Sequence, residues 1–154
     1  MKKIVQIGDP VLNRRASEVV NTSATEIKKI VDEMQSVLET EQNGVALAAP
    51  QIGESLRIFV IAPHAYEYEK KEIEQLVFIN PTIMQASKHK DILEEGCLSI
   101  RGKFGMVPRH SQVTVHAYDL DGNGFTINAD GLVAQIVQHE IDHLNGALFI
   151  EKEI

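Results

Sequence analysis

The sequence predicts an α+β domain: antiparallel β-sheets packed around a central helix that bears a His-Glu-x-x-His pattern, with an amphipathic helix near the N-terminus. Three observations carry this expectation. Two segments, one early and one late, place apolar residues at helical spacing; short β-branched and aromatic runs lie between them; and one of those runs alternates around a turn rich in Gly, Asn and Asp. With 154 residues, 44% of them hydrophobic, the chain suffices for one compact core and is short for two, so residues 1–154 are expected to form a single domain.

In "TSATEIKKIVDEMQSVLETEQNG", Ile27, Ile30, Val31, Met34, Val37 and Leu38 share one helical face, Ser23 and Glu26 have the spacing of a capping box, and Gly44 supplies a stop. Residues 56–62 ("LRIFVIA") and 76–80 ("LVFIN") read as strands, the second ended by Pro81. The polar stretch 64–75 between them reads as an exposed loop, with Tyr66 and Tyr68 as loop decoration. The alternation in "QVTVHAYDLDGNGFTIN" predicts a β-hairpin turning at residues 121–124. After Gly131 a second helix is expected over residues 132–144, stopped by Asn145 and Gly146.

Charge and cysteine content exclude several function classes. A formal charge of -7 argues against a surface that tracks phosphates, so direct nucleic-acid binding is not expected. One cysteine, Cys97, rules out an intramolecular disulfide and makes a reducing cytoplasm the expected location. The basic N-terminus meets Asp9 and Pro10 before any signal-length apolar run, and no stretch approaches a membrane span.

The chemistry centres on "QHEIDHLNG" (138–146). On a helix, positions i and i+4 stack, so His139 and His143 can aim imidazole nitrogens at one point, with Glu140 about 100° round from His139 and able to reach a water held there. Leu132 and Ile136 continue the same stripe, so the clamp would border an apolar pocket. Spacing alone leaves both a metal clamp and an ordinary polar helix open. A catalytic zinc-like centre needs a third protein ligand. Downstream only Glu151 and Glu153 are available. Upstream, Cys97 in "EEGCLSI" is the better candidate, beside Gly96, which permits close backbone approach; the bland alternative is a small buried hydrophobe.

Three stretches, "GVALAAPQ" (44–51), "EGCLS" (95–99) and "QHEIDH" (138–143), occur together and in the order of one family's three motifs. The chain resembles a peptide deformylase across nearly its whole length, from "GDPVLNRRA" through "VPR" to "GALFIE". The resemblance implies a metal-dependent hydrolase that removes the N-formyl group from N-formylmethionyl peptides of nascent chains and releases formate. It implies that Cys97, His139 and His143 bind the metal, that Glu140 is the catalytic base and acid, and that the Gln51 amide and Leu98 N–H face the developing oxyanion. Substrate contacts are implied for Gly44, Val45, Ala46, Gly96, Leu98, Leu132 and Ile136, with the methionine side chain beside Val45, Leu98, Leu132, Ile136 and the His139 ring. Glu95 and Arg109 are expected to pair and fix the cysteine loop, while Gln138 and Asp142 stand behind the ligands, Asp142 either orienting an imidazole or playing a surface role.

The resemblance favours Fe(II) in the cell, and the one-sulfur, two-nitrogen donor set also admits Zn(II), Ni(II) or Co(II). Three positions depart from the family pattern: Ala46 stands where a second glycine is usual, Arg101 where Pro often follows, and Gln135 puts an amide beside the methionine pocket. The chain ends eleven residues after His143, where many bacterial members continue into a long helix that engages the ribosome, which puts ribosome docking by that route in doubt. A monomer is expected.

Overall fold

The structure, a computed structural model, describes residues 2–67 and 75–154. Its main sheet contains β1 (Ala46–Ala48), β2 (Ile58–Ile61), β3 (Val77–Ala86), β6 (Gln112–Tyr118) and β7 (Gly124–Asp130), in the order β1-β2-β3-β6-β7. All four pairings are antiparallel. A separate two-stranded ribbon pairs β4 (Lys90–Cys97) with β5 (Ile100–His110). Helix α1 (Thr25–Glu39) and helix α3 (Gly131–Leu144) complete the α+β architecture, with the short α2 (Pro63–Glu67) after β2.

At β1 and β2 the sheet is buried on both faces, and residue alternation decides which helix each β2 residue meets. Phe59 and Ile61 of β2 join Val133, Ile136, Val137 and Ile141 of α3 in one cluster. Ile58 and Val60, one residue out of phase, join Ile27, Val31, Met34 and Val37 of α1 on the other side. This explains why β2 reads as a continuous apolar run instead of alternating. A third cluster closes the termini over β5: Val11 and Leu12 with Ile100, Val107, Leu148 and Phe149.

The expected helices, the strand at 56–62 and the hairpin are all present, with shorter or longer limits, and three details differ. The capping box does not form, because the Asn21 side chain already accepts from Ser23 N at 3.2 Å and Ser23 Oγ at 3.1 Å, closing a turn before the helix starts behind Ala24. The strand expected to end at Pro81 runs on to Ala86. Its register breaks between Ile79 and Thr82, and Asn80 adopts φ 51, so Pro81 sits at an irregularity where no ladder N–H is required. The expected exposed loop begins as α2, in which Tyr66 is buried in the core and donates its hydroxyl to the Gln75 carbonyl at 2.5 Å. Tyr68 lies outside the described residues.

Two features set the position of α3. Arg57 on the sheet reaches its C-terminus, donating from Nη1 to the Leu144 carbonyl at 2.8 Å and from Nη2 to Asn145 Oδ1 at 2.9 Å. Gly146 follows with φ 79, where a Cβ would lie 2.8 Å from the Asn13 carbonyl oxygen; only glycine allows the chain to turn this close to the N-terminal segment. Among the described residues no helix is long and apolar enough to cross a membrane.

Candidate metal centre and active-site cleft

Helix α3 presents His139, Glu140 and His143 toward the end of β4, where Cys97 sits. One nitrogen from each imidazole and Cys97 Sγ all lie within 4.8 Å of one another. Cys97 Sγ is 3.3 Å from His143 Nε2, and the two imidazole centroids are 5.0 Å apart. Three soft or borderline donors converging from a strand end and one helical stripe fit a divalent transition metal, with a side left for a water or substrate oxygen.

His139 is held from behind by a chain of charged groups. His139 Nδ1 contacts Glu95 Oε1 at 2.8 Å, which leaves Nε2 for the cleft. Glu95 in turn accepts two bonds from the buried Arg109, Nε to Oε2 at 2.6 Å and Nη2 to Oε1 at 2.7 Å. Arg109 Nη1 donates to Asp142 Oδ2 at 2.6 Å, and Lys152 Nζ lies 3.4 Å from Asp142 Oδ1. Asp142 therefore braces Arg109 and does not orient an imidazole. Gln138 points to β5, accepting from His110 N and donating to its carbonyl, each at 2.9 Å, which ties α3 to the ribbon that carries Arg109.

Electrostatics differ sharply along α3. Burial pushes Glu140 up to about 7, opposed in part by His139, so its carboxyl can exchange a proton near neutrality. Burial also works against a charged His139, but in the metal-free chain hydrogen bonds to Cys97 and Glu95 outweigh it and hold that ring up, at about 10, so a metal bound there takes the place of the proton. Burial, then the charges of His139 and Arg109, push His143 well down, so it stays neutral. Among the described residues Glu140 Oε1 and His143 Nδ1 are buried without a hydrogen-bond partner, and Glu140 Oε2 lies 4.0 Å from His139 Nε2. A buried, unpartnered carboxylate oxygen beside a converging ligand set is a place for a water or substrate proton.

Gln51 enters from the opposite wall, on a 3-10 helix spanning Ala49–Ile52. Its Oε1 accepts from Ala48 N at 2.9 Å, which turns Nε2 toward Ser99 Oγ at 3.1 Å and Cys97 Sγ at 3.6 Å. The amide orientation is thereby set by the backbone of β1. Ser99, fully buried, takes part in this array although its residue type alone did not single it out; its place within "EGCLS" was the available signal.

A cleft of about 620 Å³ opens over these groups. Its lining includes Gly44, Val45, Ala46, Gln51, Glu95, Gly96, Cys97, Leu98, Leu132, Ile136, His139 and Glu140. His143, Arg109, Gln138 and Asp142 lie behind it. Two glycines let its walls approach: a Cβ on Gly44 would be 3.1 Å from Leu98 Cδ1, and one on Gly96 would be 2.7 Å from the Phe104 ring. Ala46 is buried in the wall at the start of β1. Gln135 turns its amide away to the Glu94 carbonyl at 3.0 Å and Glu95 Oε2 at 3.4 Å. Arg101 reaches across the mouth to Glu41, a residue the sequence did not mark.

Comparison with known proteins points to one family. The family model "Polypeptide deformylase" matches residues 1–153. The chain is 42% identical over 153 residues to the peptide deformylase of Halothermothrix orenii, covering 99% of this chain and 93% of that one. It is 38% identical over 167 residues to the chloroplastic/mitochondrial peptide deformylase 1A of Arabidopsis thaliana, covering 100% of this chain and 62% of that protein's length. The crystal structure of the peptide deformylase from Thermotoga maritima matches with a TM-score of 0.89 at 33% identity, covering 100% of this chain and 98% of the other. The chain thus belongs to the polypeptide deformylase family, metal-dependent hydrolases that remove N-formyl groups from nascent peptides.

Proposed function

We propose that this chain deformylates N-formylmethionyl peptides at the cleft between β1, the Cys97 loop and α3. The observation that carries the residue assignment is the buried, unpartnered Glu140 Oε1, in the same cleft as Cys97, His139 and the oriented Gln51 amide. Cys97, His139 and His143 would hold the metal, Fe(II) in the cell, with Zn(II), Ni(II) or Co(II) able to replace it. When bound, the metal supplies Lewis acidity to the formyl group and to the attacking water.

The chain's own residues then handle protons and geometry. Glu140 takes a proton from the water as its oxygen adds to the formyl carbon, and returns that proton to the departing amine nitrogen. One C–N bond breaks and one C–O bond forms, leaving formate and a free N-terminus. Gln51 Nε2–H and the Leu98 N–H donate to the carbonyl oxygen as negative charge builds on it. Gly44, Val45 and Ala46 offer backbone groups along which the peptide adds as a strand, with Gly96 on the facing wall. The methionine side chain packs on Val45, Leu98, Leu132 and Ile136 and the flank of the His139 ring. Glu95, Arg109, Gln138 and Asp142 keep those ligands in place. In this reading residues 1–154 work as one domain, and the lone, reduced Cys97 suits a cytoplasmic enzyme.

Protein loaded anaerobically with Fe(II) or Ni(II) tests this directly, because air would oxidise both the metal and Cys97. Formate release from N-formylmethionyl peptides is expected. Cleavage of ordinary peptide bonds without formate would make the site a metallopeptidase, and tight peptide capture with neither product would make it a binding module.

A further inference from the structure

We propose that Arg101, braced by Glu41, is a specificity-determining residue that meets the peptide beyond the formylmethionine and favours acidic side chains there. This rests on the deformylase reading of the cleft and adds to it which peptides the cleft prefers.

The two residues come from opposite walls, Glu41 from the segment between α1 and β1 and Arg101 from the start of β5. Their contact is two-pronged: Nη2 donates to Oε1 at 3.0 Å and Nη1 to Oε2 at 3.3 Å. Both line the cleft. Their place along it follows from the wall they close. Residues 41–51 contribute one side: Gln51 contacts Cys97 at the metal end, and Glu41 and Gly44 at the start of the segment close a turn, Gly44 N donating to the Glu41 carbonyl at 3.3 Å. A peptide laid along this segment, with its formyl group at Gln51, passes Arg101 after its first residue.

The sign of the preference comes from hydrogen-bond capacity. Both Glu41 oxygens are engaged by Arg101, whereas a guanidinium has five N–H donors and Glu41 takes two. The arginine side chain is also the more accessible partner, 53% exposed against 23% for Glu41. The strap is a neutral pair that presents its more exposed arginine, with three N–H donors left over, to a passing side chain, while the less exposed Glu41 keeps two of its four acceptor sites. Glu94 also lines the cleft, and its carbonyl takes the Gln135 amide. Planar two-pronged bonding is a property of arginine that lysine does not share.

The test compares formylated peptides Met-Ala-Asp, Met-Ala-Ser and Met-Ala-Lys on metal-loaded protein at low and high salt, alongside binding of the corresponding unformylated peptides by calorimetry. The wild-type protein should prefer Asp over Lys roughly three- to fivefold, in KM and not in kcat, with the preference shrinking as salt rises. Arg101→Gln should bring the ratio to about one in both turnover and binding, Arg101→Lys should restore only part of it, and Glu41→Gln should change it by loosening the arginine. Formate release with no charge preference in the wild-type protein, or a preference that survives Arg101→Gln, overturns the inference while leaving the deformylase reading intact. A charge preference in binding that Arg101→Gln removes, with no formate released, keeps the peptide subsite and overturns the deformylase reading instead.

Discussion

His139 Nδ1 lies 2.8 Å from Glu95 Oε1, so a carboxylate two residues before Cys97 fixes the ring that Cys97 must meet across the cleft. One strand thus supplies both a ligand candidate and the group that orients another, and the geometry of the centre depends on the β4 backbone as much as on α3. Glu95→Gln keeps the shape and weakens the hold on His139. Metal affinity is expected to fall about 10- to 100-fold, read by competition with a chelator. An unchanged affinity would mean that α3 alone orients the ring.

Arg109 is a buried cation whose charge is met by Glu95 and Asp142. Removing it takes the buried cation from between two carboxylates and leaves Glu95 only His139 and Asp142 only Lys152, so Arg109→Met should cost about 3 to 5 kcal/mol in urea unfolding of the metal-free protein. The same pair predicts acid sensitivity. Burial alone would push Glu95 up, but bonds from Arg109 and His139 outweigh it and hold the carboxyl down from 4.5 to about 2. A carboxylate lowered in the folded state stabilises it fully above its ordinary pKa, and that stabilisation drains away as pH falls from about 4.5 toward 2. The urea midpoint should drop over that window and drop less in Arg109→Met; an equal drop would exclude the pair as its source.

Glu140 is buried beside the ligand candidates and is not one of the converging donors, so its loss should separate metal holding from chemistry. Glu140→Gln is expected to retain about one metal per chain, measured by elemental analysis, and to lose at least about 100-fold in kcat. Turnover within tenfold of wild type would assign the proton transfer to another group.

Gly96 is required by its neighbour more than by its own backbone: a Cβ there would stand 2.7 Å from the Phe104 ring, its partner across the ribbon. Gly96→Ala should destabilise the protein by about 1 to 3 kcal/mol through overpacking and raise KM as the Cys97 loop shifts. Adding Phe104→Ala should recover most of the loss. Failure of the double variant to recover would place the constraint in the backbone.

Local pattern was enough for much of this protein. Apolar spacing in α1 and α3 and alternation in β6 and β7 report which faces are buried, because helix and strand periods are set by the backbone itself. The spacing of His139, Glu140 and His143 determined that two imidazoles and a carboxylate share one turn, and the order of three short motifs pointed to the family. What the sequence could not decide were competitions between neighbouring groups and contacts between segments that only burial brings together. Asn21 outcompetes Glu26 for Ser23; Pro81 survives inside β3 because Asn80 bends the strand; Tyr66 is drawn into the core from a polar stretch. The Gln51 amide acquires its direction only when β1 places the Ala48 N–H against it, and Arg101 finds Glu41 only when two walls of a cleft stand face to face. Spacing reports which face of a helix or strand is buried, whereas the partner a polar group takes is settled only when the fold fixes the competing donors and acceptors, and the Arg101–Glu41 contact, 60 residues apart, exists only once burial has brought the walls together.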